Sequence, residues 1–279
     1  MTANRELSAV ARLDLAEVLR SRWLIFCGLV YGLLAAMFVL VGVRESNVLG
    51  FTGMGRVLMS FTHALLLLLP LLALTATSQL INRARDDGTL EMLFSHPLSR
   101  GRYFLGITLV RYALLLGPLL LRVLLRGVRG SLLLRQAIPW AFLGRALAIS
   151  ASLLWVFVGL GLLISTVVRN HARAMMYVLL AFGLGVALLD FGVIGLLLKW
   201  RLHAATLFVI CAANPVQAAR MALLSAAEPE LGTLGPVGFF LSSRIGENAL
   251  FALGTLWPVA LGSLLWWVAS RHFRRSDLV

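Results

Sequence analysis

Arg83-Ala84-Arg85-Asp86-Asp87-Gly88-Thr89-Leu90-Glu91-Met92-Leu93-Phe94-Ser95-His96-Pro97-Leu98-Ser99-Arg100-Gly101-Arg102 is a polar island between two long apolar runs. It carries charge of both signs, a helix start at Gly88-Thr89 and a stop at Pro97. Thr89 is placed to cap a short helix with Asp86 and Asp87 near its positive end. Leu90, Leu93 and Phe94 follow at i, i+3 and i+4 and share one face, and Pro97 cannot continue the helix. A short helix with an apolar face and a charged rim, held between two spans, suits docking into a groove on another protein. The plainer alternative is a loop folded against its own spans.

The surrounding chain is built for lipid. Of 279 residues, 60% are hydrophobic and 13% charged, where a soluble protein carries about 25% charge; mean hydropathy is +0.91. Several apolar runs exceed the ~20 residues that cross a bilayer as a helix. They do not alternate as the strands of a barrel would. The fold expected is an all-α integral membrane protein, a single transmembrane domain over 1–279.

Residues 5–22 read as an amphipathic interfacial helix, with Leu7, Ala11, Leu15, Val18 and Leu19 on one face and Arg5, Arg12, Glu17 and Arg20 on the other. Six transmembrane helices are expected at about 24–43, 57–80, 103–121, 146–167, 175–198 and 247–269. The island supplies a docking region at 84–99. The segment 122–145, interrupted by Arg122, Arg126, Arg129 and Arg135, reads as a tilted or interfacial connection. The segment 199–245 is expected outside the membrane, with Asn214-Pro215 starting a helix that has Pro in its first turn.

A net charge of +13 in a soluble protein points to nucleic acid. Here the arginines stand at the ends of apolar runs, where they meet lipid headgroups, and no nucleic-acid partner is expected. Six crossings put both termini on one side, and the basic residues divide thirteen against eleven between the two sides. The positive-inside rule therefore favours cytoplasmic termini only by a small margin.

Catalytic apparatus is not visible. Lys199 is the only lysine, which excludes a Gly-x-x-x-x-Gly-Lys-Ser/Thr loop. His-Glu-x-x-His and Gly-x-Ser-x-Gly are missing as well. The chain is expected not to be an enzyme and to hold no cofactor, so energy must enter from another subunit. Cys27 and Cys211 have no visible partner and read as small apolar residues.

Arg85-Asp-Asp-Gly-Thr-Leu-Glu-Met-Leu93 with Pro97-Leu-Ser-Arg100 resembles the first cytoplasmic loop of ABC-2 type permeases, the membrane subunits of ABC transporters. Family members carry an acid-Arg-acid run before Gly-Thr, where this chain has Ala84 in place of the first acid. Ala11-Arg-Leu-Asp14 with Leu19-Arg-Ser-Arg-Trp23 is similar to the family's amphipathic N-terminal helix, and Phe273-Arg-Arg-Ser-Asp-Leu278 to its basic tail. The resemblance implies a coupling helix bearing Asp86, Gly88, Thr89, Leu90, Glu91, Leu93, Phe94 and Pro97 against a cytoplasmic ATPase dimer. ATP and Mg would sit on that partner. It also implies a second copy of this chain, a place in the bacterial inner membrane and cytoplasmic termini.

Leu49-Gly-Phe-Thr52 and Asn214-Pro-Val-Gln-Ala-Ala-Arg-Met221 further resemble the subgroup that serves nitrous oxide reductase maturation. That subgroup works with a periplasmic accessory protein and supplies a sulfur or copper species. The same architecture serves exporters of drugs, lipids or glycans, and non-transporting scaffolds that transmit movement to an outer partner.

Inside the spans, Asp190 is an intramembrane carboxylate, which marks either a transport pathway or a structural pair with Arg111. Met59 and His63, at i and i+4, have the soft donors that suit copper, but Met and His on a helix interface are more often packing, and no metal site is expected. Gln217, Arg220 and Met221 would face either a periplasmic partner or the headgroups.

Overall fold

The computed structural model describes residues 3–20, 66–96, 98–133, 140–188, 204–227 and 246–276, together with Leu29 and Gly32. Among them there are helices and no strands. In chain order these are α1 (Ala3–Arg20), α2 (Leu66–Asp86), α3 (Thr89–Phe94), α4 (Arg100–Leu133), α5 (Trp140–Val167), α6 (His171–Phe182), α7 (Ala204–Ala213), α8 (Pro215–Ala227) and α9 (Glu247–Arg275). Four of them, α2, α4, α5 and α9, are long and apolar enough to cross a membrane. Met59, His63, Pro97, Asp190 and, apart from Leu29 and Gly32, the expected span 24–43 lie outside the described residues.

Within the segment 122–145, residues 122–133 continue α4 and 140–145 begin α5, while 134–139, with Arg135, lie outside the described residues. α4 runs without a break for 34 residues, about 51 Å at the usual rise and well beyond the ~30 Å of a hydrocarbon core. Arg122, Arg126 and Arg129 therefore sit on a helical extension of α4, the described part of the expected tilted or interfacial connection. Leu and Arg are good helix formers, so the helix continues through the arginines.

Small residues set the packing of the bundle. α5 and α9 touch backbone to backbone: a Cβ on Gly159 would lie 2.7 Å from the Gly262 carbonyl oxygen, and one on Gly262 would lie 2.9 Å from Val156 Cα. Between α2 and α5, Gly161 leaves room for the Thr77 side chain. Close approach at glycines is how apolar helices associate where lipid tails are as apolar as leucine. A turn at Ser78-Gln79 interrupts α2 and releases the Ile81 amide, which donates to Ser165 Oγ on α5 at 2.8 Å.

α8 is buried along nearly its whole circumference between α5 and α9. Asn214 starts it: its Oδ1 accepts from the Val216 amide at 2.7 Å. Its Nδ2 donates at 2.8 Å to the Gly185 carbonyl, within the π-helical turn Gly183–Leu188 that continues α6. Gln217 and Met221 are buried, so neither faces a partner or headgroups as expected. Ala218 and Ala222 explain this, because they let α9 close on α8 at Gly254.

Candidate functional site

Gly88 both ends α2 and begins α3. Its φ of 66° is left-handed, its amide donates to the Arg85 carbonyl at 3.0 Å, and its own carbonyl accepts from Met92 at 3.2 Å. Left-handed backbone suits glycine at the end of a helix. Thr89 is thus the first helical residue and not the cap, and no side chain caps α3. Asp86 belongs to the last turn of α2, where its Oδ2 lies 2.9 Å from His171 Nε2 at the start of α6.

The face of α3 that carries its apolar residues points inward. Leu90 is fully buried and Leu93 and Phe94 are half-buried against the core. Phe94 meets Tyr103 of α4 edge-on, with centroids 5.6 Å apart, and lies 6.3 Å from Phe273 of α9. The outward face is Glu91, Met92, Ser95 and His96, with Met92 68% exposed. The exposed apolar docking face read from the i, i+3, i+4 spacing is therefore the seat of the helix, and its charged rim is the free surface.

The same end of the bundle gathers the start of α6 and the finish of α9. Arg100 Nη1 donates to the carbonyls of Arg274 and Ser276, each at 3.1 Å, and so satisfies groups that the end of a helix leaves open. Asn170 caps α6 through the amides of Ala172 and Arg173.

α1 packs along α4 with Val10, Asp14 and Val18 turned inward. Leu15 is exposed, so the buried stripe is rotated from the one expected and has a carboxylate at its centre. Arg111 explains this. Its Nη2 donates to Asp14 Oδ1 at 2.7 Å, with only 12% and 7% of the two side chains exposed. Asp14 Oδ2 has no hydrogen-bond partner. Burial holds the Asp14 carboxyl above its ordinary value, and the charge and hydrogen bond of Arg111 pull it back. The spacing of apolar residues carried no signal for Asp14; the one clue was a lone arginine at 111 inside an apolar run. A cavity of 380 Å³ lies between α1, the end of α2, α3 and α4, with Asp14, Glu17, Asp87, Leu13 and Met92 in its wall.

Helices long and apolar enough to cross a membrane, a short helix seated between two of them and a buried charge pair under an N-terminal helix are the features of a helical membrane protein. The profile of the ABC-2 family transporter proteins matches residues 8–268, and the chain belongs to that family as a permease subunit. It is similar to the probable ABC transporter permease protein NosY of Stutzerimonas stutzeri, 29% identical over 237 residues that cover 81% of this chain and 84% of that protein. It is also similar to the probable ABC transporter permease protein NosY of Pseudomonas aeruginosa strain PAO1, 35% identical over 97 residues, 35% of each chain.

Proposed function

We propose that this permease takes up the work of ATP hydrolysis through α3, from an ATPase subunit that docks on the end of the bundle formed by α1, α3 and the tail of α9. ATP and Mg are held by that subunit. The observation that carries the reading is the two-sidedness of α3: Phe94 fastens it to α4 and α9 and Leu90 is buried in the core, while Glu91 and Met92 stand outward. A helix so seated passes displacement to the spans, because a ligand moves an equilibrium only through contacts that differ between its states. Two copies of the chain form the pathway at their two-fold axis, and both termini lie in the cytoplasm, with the subunit in the inner membrane. The cargo is a sulfur or copper species for nitrous oxide reductase maturation, received by a periplasmic accessory protein. This last step rests on the likeness to the NosY permeases and on the Asn214–Met221 stretch.

The test reconstitutes permease and purified ATPase in liposomes and compares wild type with Glu91→Arg. The reading expects the variant to insert normally and to lose both ATPase binding and coupled hydrolysis. Full binding and coupled activity in the variant would overturn it. Hydrolysis stimulated by a drug, lipid or glycan and not by the sulfur or copper species identifies an exporter instead. Hydrolysis that answers only to the outer protein identifies a scaffold that transmits movement without carrying cargo.

A further inference from the structure

The chain has twelve acidic residues against a net charge of +13. Six of the twelve, Glu6, Asp14, Glu17, Asp86, Asp87 and Glu91, fall on α1, the end of α2, the turn after it and α3. Three of these, Asp14, Glu17 and Asp87, line the cavity that the same helices form with α4. Two arginines also line it, and both are engaged. Arg111 holds Asp14 Oδ1, and Arg83 donates to Gln79 Oε1 at 3.2 Å. The bond to the neutral Gln79 leaves Arg83 charged, and three acids against two arginines give the cavity wall a small net negative charge.

Asp14 adds an independent observation. It is 7% exposed, lines the cavity, and its Oδ2 lacks any donor. A buried carboxylate oxygen without a donor is costly, and the upward pull of burial on this carboxyl means that Arg111 alone does not make good the lost water. Leu13 and Met92, both well exposed, form an apolar collar on the cavity wall. Acids behind an apolar collar match a long basic side chain, whose methylene stem covers apolar surface while its head reaches charge. The same acids repel an anionic headgroup.

We infer that the cavity receives a lysine or arginine side chain of the ATPase subunit, its head between Asp14, Glu17 and Asp87 and its stem along Leu13 and Met92. The inference rests on the proposed docking at α3 and names the chemistry of the partner there. It makes α1 part of the docking surface, and it gives the buried pair at Asp14 a second cation only in the assembled complex.

The test measures the affinity of the purified ATPase for the permease in nanodiscs over a range of salt concentrations. Glu17 and Asp87 are exposed, so Glu17→Gln with Asp87→Asn is expected to leave the melting temperature unchanged. The double variant is expected to weaken binding about tenfold and to flatten its salt dependence, as loss of interfacial charge does. Asp14→Asn keeps an acceptor for Arg111 and is expected to weaken binding further. Affinity and salt dependence equal to wild type in the double variant overturn the inference. If these variants instead lose a co-purifying ethanolamine lipid and keep the ATPase, the cavity belongs to an amine headgroup and the inference is likewise overturned. If Glu91→Arg abolishes binding while the double variant does not, docking at α3 stands and the cavity assignment falls. If neither variant changes the affinity, the docking itself is wrong.

Discussion

Asp14 and Arg111 stand 97 positions apart in the chain and 2.7 Å apart in space, joining α1 to the middle of α4. Removing one member leaves the other buried and unbalanced. Asp14→Ala strands a guanidinium that stays charged and is expected to cost about 3–5 kcal/mol. Arg111→Met strands a carboxyl that can take up a proton, so it costs less. The double variant Asp14→Leu with Arg111→Met is expected to be more stable than the sum of the single losses. Thermal denaturation in detergent and protease cleavage of α1 measure the cycle. Strictly additive losses would show that the pair does not hold α1.

The same pair sets a dependence on pH. Asp14 is raised above its ordinary 3.8 by burial, with Arg111 opposing. The folded state therefore binds more protons than the unfolded chain just above 3.8. Stability from this group is full below that value and declines as pH rises through the folded value. Melting temperatures of wild type minus those of Asp14→Asn are expected to fall as pH rises through the acidic interval. A difference that rises with pH reverses the sign and removes the argument.

The two faces of α3 separate docking from folding. Glu91→Arg changes an exposed charge, so the permease is expected to melt as wild type does while losing the ATPase. Leu90→Asp buries an unpaired charge at a fully enclosed position and is expected to lower the melting temperature and to free the loop to protease. Co-purification together with a melting curve distinguishes the two, and equal stability of both variants contradicts the inward seat of Leu90.

Gly88 holds a left-handed turn with open space around it. Gly88→Ala meets no clash, so its penalty is conformational, roughly 1–2 kcal/mol. Gly88→Asn is expected to cost less, because asparagine tolerates that region. Protease sensitivity of the loop is the readout, and equal effects would remove the role of φ.

At Gly262 the penalty is steric. A Cβ there would lie 2.6 Å from Trp155 Cδ1 and 2.9 Å from the Val156 backbone, so Gly262→Ala is expected to cost about 1–3 kcal/mol. Gly117→Ala, on a surface with nothing within 4 Å, is the control. Comparable melting temperatures for the two variants would mean that α5 and α9 do not meet as closely as described.

The existence of α3 was legible in Gly88-Thr89 and the apolar triplet after it, because local backbone chemistry decides a helix start. Which way the triplet faces was not legible, since Tyr103 and Phe273, the residues that receive Phe94, belong to other helices. Asp14 shows the same limit. Its charge reads as solvent-facing in the α1 pattern, and Arg111 reads as a candidate partner for Asp190; only the packing of α1 on α4 brings the two together. The Asn214-Pro215 start of α8 was visible for the same local reason as α3. Its enclosure depends on Gly254, which lies on another helix, and no local pattern contains that.

Arg100 holds the carbonyls of Arg274 and Ser276, while Phe94 leans on Phe273. The far end of the loop and the tail of the last helix are therefore one joint. A displacement of α3 reaches α4 through its own chain and α9 through this joint, and α9 in turn lies backbone to backbone on α5. On the proposed docking at α3, a push at the rim is expected to reach three long helices, which these contacts tie together as the arms of one lever.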